Sequence, residues 1–357
     1  MEVEGYKQHS IFRFHTRTYM AINSIKKRQH SNVRLEFIFS NGIKSRISDS
    51  LVQKNGVNLH TGLDILIDVS GDEHQGKGIA EILLSLMAFC LQTPYRQIEK
   101  FGEVHFKEKP PSDIKLFVEP EVQHEEIAGN LSIVEVDIFK EVFEQWDKNH
   151  AGDNVLSYSL LWFSKGLAEK TMLIKYISIW IALEAISDKL NKIIDSSTQN
   201  KSDDWRGLRR ICENAIKEYS FSQLKDCRNK IIHEGNFGSD ETNEIFAVTK
   251  SLIDLYIYAM GKLLNLKETA IIAITNKEVK GLPPLPSNYQ IVQRSLEYED
   301  EQLVWDNFPR AKLKTERRDY AEKNGEIQME VACEITFDNL NNLRLVGNGG
   351  IGYYGEK

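Results

Sequence analysis

The chain has 357 residues, 41% of them hydrophobic and 27% charged, with a formal net charge of -7 at pH 7. That is enough chain for two domains and a smaller appendage, and the composition is that of a soluble globular protein. The acidic balance excludes wholesale polyanion binding, so any nucleic-acid contact must come from a local basic patch. Cys90, Cys212, Cys227 and Cys333 lie far apart without CxxC spacing. They predict reduced thiols, a cytoplasmic setting and no cysteine-held metal. Met1-Glu2-Val3-Glu4 opens the chain without a basic stretch leading into an apolar one, so no secretory leader is expected. The apolar runs at 79–91 and 172–186 are interrupted by Glu81, Lys175 and Glu184, which predicts buried helices and no contact with a membrane.

Taken in order, residues 33–39 alternate apolar and polar, and Ser40-Asn41-Gly42 supplies a turn into a second strand over 43–47. Residues 63–69 read as another strand, broken by Ser70-Gly71-Asp72, before a helix over 78–91. Short strands are expected at 104–106 and 114–118, on either side of Pro110-Pro111, and at 131–136, followed by a helix over 138–146. Residues 1–150 therefore predict an α+β domain without internal repeats. The glycines of Gly71-Asp72-Glu73-His74-Gln75-Gly76-Lys77-Gly78 suit a phosphate cradle. The full Walker spacing is missing, and a plain loop is the better reading.

From residue 154 the pattern becomes helical. Leu156, Leu160, Trp162, Phe163 and Leu167 form a stripe over 155–170, and 171–190 is apolar nearly all round, as a central helix would be. A third helix is expected over 205–219, capped by Asp203 or Asp204. A fourth starts at Ser222 and ends near Gly235, and a fifth spans 243–266. Residues 151–267 thus predict an all-α bundle. Residues 268–357 read as a linker, containing Gly281-Leu282-Pro283-Pro284-Leu285-Pro286-Ser287, and a C-terminal extension of short strands. That extension is too polar for its own core and is expected to pack back on the other domains.

The fourth helix carries Arg228-Asn229-Lys230-Ile231-Ile232-His233-Glu234-Gly235. Arginine offers a permanently charged fork that matches phosphate oxygens, and histidine exchanges a proton near neutral pH. The spacing alone carries little weight, because a helix C-terminus ending at glycine contains such residues for ordinary structural reasons. Two surrounding features add weight. Glu184 sits in the apolar run Trp180-Ile181-Ala182-Leu183-Glu184-Ala185-Ile186, where a carboxylate needs a partner, and Arg228 is the partner expected. Arg206, Arg209 and Arg210 share a helical face beside Trp205, a candidate RNA track to which Lys225 and Lys230 add charge. A solvated face is an equally good reading of these cations.

The Arg228-to-His233 stretch resembles the R-x4-6-H signature of HEPN-domain ribonucleases, most closely the ApeA-like branch. The Ile-Ala-Leu-Glu-Ala wording around Glu184 resembles that branch's glutamate-bearing helix. The resemblance covers residues 154–266. It implies an all-α HEPN-type bundle acting as a metal-independent endoribonuclease, in which the 2′-hydroxyl attacks the adjacent phosphate. Arg228 would stabilise the phosphate, His233 move the proton and Asn229 orient one of them, while Glu184 holds Arg228. It implies no cofactor and no metal, and a homodimer whose two motifs form a composite site. A role in prokaryotic antiviral defence or a toxin system follows from the same likeness, with a regulatory protein or a phage-derived trigger as possible partner and residues 1–150 as sensor or regulator. The alternative is a non-catalytic HEPN-like module for dimerisation and for binding RNA or a partner. In a regular helix Arg228 and His233 are five residues apart, roughly 140° around the axis. Asn229 and His233, four apart, share a face.

Overall fold

The computed structural model describes residues 6–14, 35–54, 57–68, 73–95, 99–107, 115–121, 132–150, 153–194, 205–234, 242–279, 288–294, 296–299, 302–305, 311–323 and 326–337. Within them the chain is mostly helical, with an antiparallel sheet towards the N-terminus.

That sheet contains β1 (Tyr6–Phe14), β2 (Leu35–Ile38), β3 (Lys44–Lys54), β4 (Val57–Asp68) and β5 (Glu99–Lys107), in the order β2-β3-β4-β1-β5. The β2–β3 hairpin turns where Ser40-Asn41-Gly42 predicted. Gly42 takes φ +86°, which a side chain would strain, and its N–H closes the turn on the Phe39 carbonyl at 2.8 Å. Register follows burial: Leu35 faces Ile47 and Phe37 faces Ser45, all inward, while Glu36 and Ile38 point to solvent.

Helices α1 (Glu73–Leu91) and α2 (Ile133–His150) pack with this sheet. Residues Leu83 to Leu91 of α1 are buried, which is why the run is apolar on every side. Helix α1 starts at Glu73, so Gly76 and Gly78 are helical and form no phosphate-cradling loop. The strand expected at 131–136 is likewise corrected: α2 already runs from Ile133. Its start is a capping box in which Glu135 accepts from the Ser132 N–H (2.7 Å) and hydroxyl, while Ser132 Oγ accepts from the Glu135 N–H at 3.2 Å. An alternating apolar pattern shorter than two turns of helix hid that box. Phe139, Phe143 and Trp146 of α2 meet Phe37 and Phe39 at centroid distances of 4.7–6.3 Å.

Five helices follow, as the periodicity predicted: α3 (Asn154–Ala168), α4 (Met172–Ile194), α5 (Arg206–Ala215), α6 (Phe221–Glu234) and α7 (Thr242–Leu263). Asp153 caps α3 by accepting from the Val155 and Leu156 N–H groups and is also ion-paired to Lys189 of α4. Helices α3 and α4 cross closely because Gly166 lacks a side chain; a Cβ there would stand 2.8 Å from Ile179 Cγ1. Phe163 and Tyr256 stack at 4.2 Å, and Ser159 Oγ bonds both the Ala182 carbonyl (2.7 Å) and Tyr256 Oη (3.0 Å). These contacts lock α3, α4 and α7 together. Helix α8 (Glu268–Thr275) was not foreseen. Its Ala270, Ile271 and Ile274 are buried, with Ile271 set against Gly261 of α7.

One hydrophobic cluster includes residues of the sheet, α1, α2 and the whole bundle, so the core continues across residue 150. Beyond α8 lie β7 (Asn288–Arg294), β8 (Leu296–Glu299), β9 (Gln302–Trp305), β10 (Ala311–Lys323) and β11 (Glu326–Phe337). Strand β7 pairs antiparallel with β6 (Lys115–Glu121), so the chain after the bundle returns to its N-terminal half.

Candidate functional site

Helix α6 is held on α4 by its apolar face. Leu224, Cys227 and Ile231 are buried, and the Tyr176 hydroxyl donates to the Leu224 carbonyl at 2.6 Å. Arg228 lies one turn beyond Leu224, so this docking directs it towards α4. Its Nη2 lies 3.4 Å from Glu184 Oε1, and its Nη1 donates to Asn229 Oδ1 at 3.0 Å. Glu184 Oε1 also accepts from Trp180 Nε1 at 2.8 Å. The side chains of Arg228 and Glu184 are 29% and 34% exposed, so the pair sits at a water-reachable edge of the core. Arg228 Nε, by contrast, is buried without a hydrogen-bond partner among the described residues.

Trp180 matters twice. Besides binding Glu184, its indole packs with Trp205 at 5.7 Å and Phe221 at 5.9 Å, joining α4 to the starts of α5 and α6. Sequence reading placed Trp180 near Glu184 but assigned it no role. The signal was available, since an indole N–H four residues before a carboxylate on one helix face can reach it.

The remaining candidates are placed as follows. His233 lies in the last turn of α6 and is exposed; no hydrogen bond or ion pair joins it to Arg228 among the described residues. The helix stays regular from Phe221 to Glu234, so Arg228 and His233 point away from each other within one chain. Asn229 is half-buried on the side that reaches Arg228. On α5, Arg209 and Arg210 are exposed and Arg206 is half-buried. Trp205 is half-buried, its ring engaged with Trp180 and Phe221. Lys225 and Lys230 are exposed on α6. The helix begins one residue before the Ser222 cap expected: Ser220 and Gln223 form the capping box, with Gln223 Oε1 accepting from the Ser220 N–H at 2.8 Å. Asp203 and Asp204 lie outside the described residues.

Burial pushes the Cys212 pKa up to about 11, and that of Cys90 well above its usual value, so both are protonated at neutral pH. Among the described residues no three His, Cys, Asp or Glu side chains converge to hold a metal, and no helix is long and apolar enough to cross a membrane. Comparison with family models, curated proteins and solved structures finds no match.

Proposed function

We propose that residues 151–267 form a HEPN-type bundle that cleaves RNA without a metal, acting in the cytoplasm as a homodimer. The observation that supports this reading is the Arg228 guanidinium held between Glu184 of α4 and Asn229. A carboxylate in the apolar run of α4 holds a group suited to phosphate on the helix that also carries the exposed His233. In the proposed reaction His233 takes the proton from the 2′-hydroxyl, whose oxygen attacks the adjacent phosphorus. Arg228 neutralises the charge gathering on the phosphate. The proton taken up by the imidazole is then passed to the departing 5′-oxygen, giving a 2′,3′-cyclic phosphate and a 5′-hydroxyl. DNA lacks the attacking group and is not a substrate. Because Arg228 and His233 diverge on one helix, the second copy supplies the missing partner of each. Arg209, Arg210, Lys225 and Lys230 are the exposed cations suited to the RNA backbone. Cleavage of host or phage RNA on a protein or phage-derived trigger is the biological role proposed, with residues 1–150 as the regulator.

Incubating wild type, Arg228→Ala and His233→Ala with RNA in EDTA tests the site. Cleavage by wild type alone is expected; equal cleavage by all three would remove the assignment. One observation favours the non-catalytic alternative: both terminal nitrogens of Arg228 already have partners, as in a purely structural ion pair. A wild type that binds RNA or a partner and cuts under no condition would decide for that reading.

A further inference from the structure

We infer that a cleft between the sheet and the bundle binds a small aromatic cation. The cleft, about 770 Å³, lies between the β2–β3 turn, the first half of α1, the end of α2 and the start of α3. Its size is that of ordinary small-molecule sites. The exposed ring of Tyr158, with the mostly buried Phe39 and Trp146, gives it an aromatic lining, and Glu81 and Asp147 give it two carboxylates. Among the described residues no lysine, arginine or histidine lines it.

Two observations point to a ligand here. Gly78 of α1 lines the cleft, and a Cβ added there would meet nothing within 4 Å. Glycine is a poor helix former, so its place in α1 gives the helix nothing while leaving the cleft open. Gly166, Gly207 and Gly261 differ, for each makes room for a neighbouring side chain or backbone. The carboxylates are also uncompensated. Asp147 accepts from the Ser40 N–H (2.9 Å) and hydroxyl (3.3 Å), and neither it nor Glu81 has an ion-pair partner among the described residues.

Aromatic faces beside unpaired carboxylates select a flat cation through cation–π and Coulomb attraction, and they repel phosphates and carboxylates. Nothing here depends on the chemistry proposed for Arg228.

Calorimetry on the full chain with tryptamine, benzamidine and the anionic indole-3-acetate tests the inference. At least one of the two cations should bind saturably at millimolar concentration or below, with indole-3-acetate about tenfold weaker or more. Gly78→Trp should fill the cleft and abolish binding, and Glu81→Gln should weaken the cation at least severalfold. The glutamine variant decides alone if the tryptophan variant does not fold. The inference is overturned if neither cation saturates, if indole-3-acetate binds as tightly, or if either folded variant keeps full affinity.

Discussion

Glu184 concentrates more of the protein's polar organisation than any other side chain near the motif. Its carboxylate meets an indole N–H and a guanidinium from two helices. Glu184→Ala should cost about 1–2 kcal/mol, because it leaves the buried Trp180 indole and the half-buried Arg228 guanidinium without their shared acceptor. Chemical unfolding measures that cost, and the RNA cleavage proposed for this site should fall with it. A variant of unchanged stability would mean the contact is idle. Two glycines make opposite predictions. Gly78→Ala should stabilise by about 0.5–1 kcal/mol, since α1 gains a better helix former and the new methyl meets open space. Gly166→Ala should destabilise by about 1–3 kcal/mol, because its methyl would stand 2.8 Å from Ile179 Cγ1 and 3.2 Å from Ser178 Cβ. Equal melting shifts for the two would discredit the packing account.

At the scale of elements, polar ends place the helices that apolar faces hold. Lys277, just past α8, is ion-paired to Glu135 in the capping box of α2, fastening the two helix ends together. Burial tends to raise the Glu135 pKa, but the Lys277 and Ser132 hydrogen bonds outweigh it and leave the carboxyl below its ordinary value. A group whose folded pKa is depressed contributes its stability in full above its unfolded pKa, here about 4.3, and loses it as pH falls through the folded value. Glu135→Gln should therefore melt below wild type at pH 7, with the gap closing towards pH 3. A gap that persists undiminished at pH 3 would locate the loss elsewhere. The Ser220–Gln223 box plays the same part for α6. It starts the helix in the register that turns Leu224 inward and brings Arg228 to α4.

At the scale of the molecule, α1 joins the sheet to the bundle, its buried second half carrying the core from one to the other. The cleft at that junction has walls from both parts, so a ligand seated there touches residues on each side of position 150. The dimer proposed for cleavage also belongs to this scale. If the site combines Arg228 of one copy with His233 of the other, co-expressed Arg228→Ala and His233→Ala chains should recover activity. Half of the dimers would be mixed, each with one intact site of two, giving roughly a quarter of wild-type activity. Complete inactivity of the mixture, with mixed dimers present, would place the chemistry elsewhere.

Periodicity was enough to determine the five helices from α3 to α7, because long amphipathic or buried segments repeat the same signal over several turns. Composition likewise required that Glu184 meet a partner, since a carboxylate on an apolar helix face is costly alone. Short elements were less legible. Helix α8 spans eight residues and α2 begins in an alternating stretch, so both depended on packing and capping that pattern does not display. Tertiary structure alone decided two things. It docked α6 on α4 through Tyr176 and Leu224, placing Arg228 beside Glu184. It engaged the Trp205 ring with Trp180 and Phe221. The divergence of Arg228 and His233 was already legible in their spacing, because five residues of a regular helix turn roughly 140° past a full circle, and α6 stays helical across both.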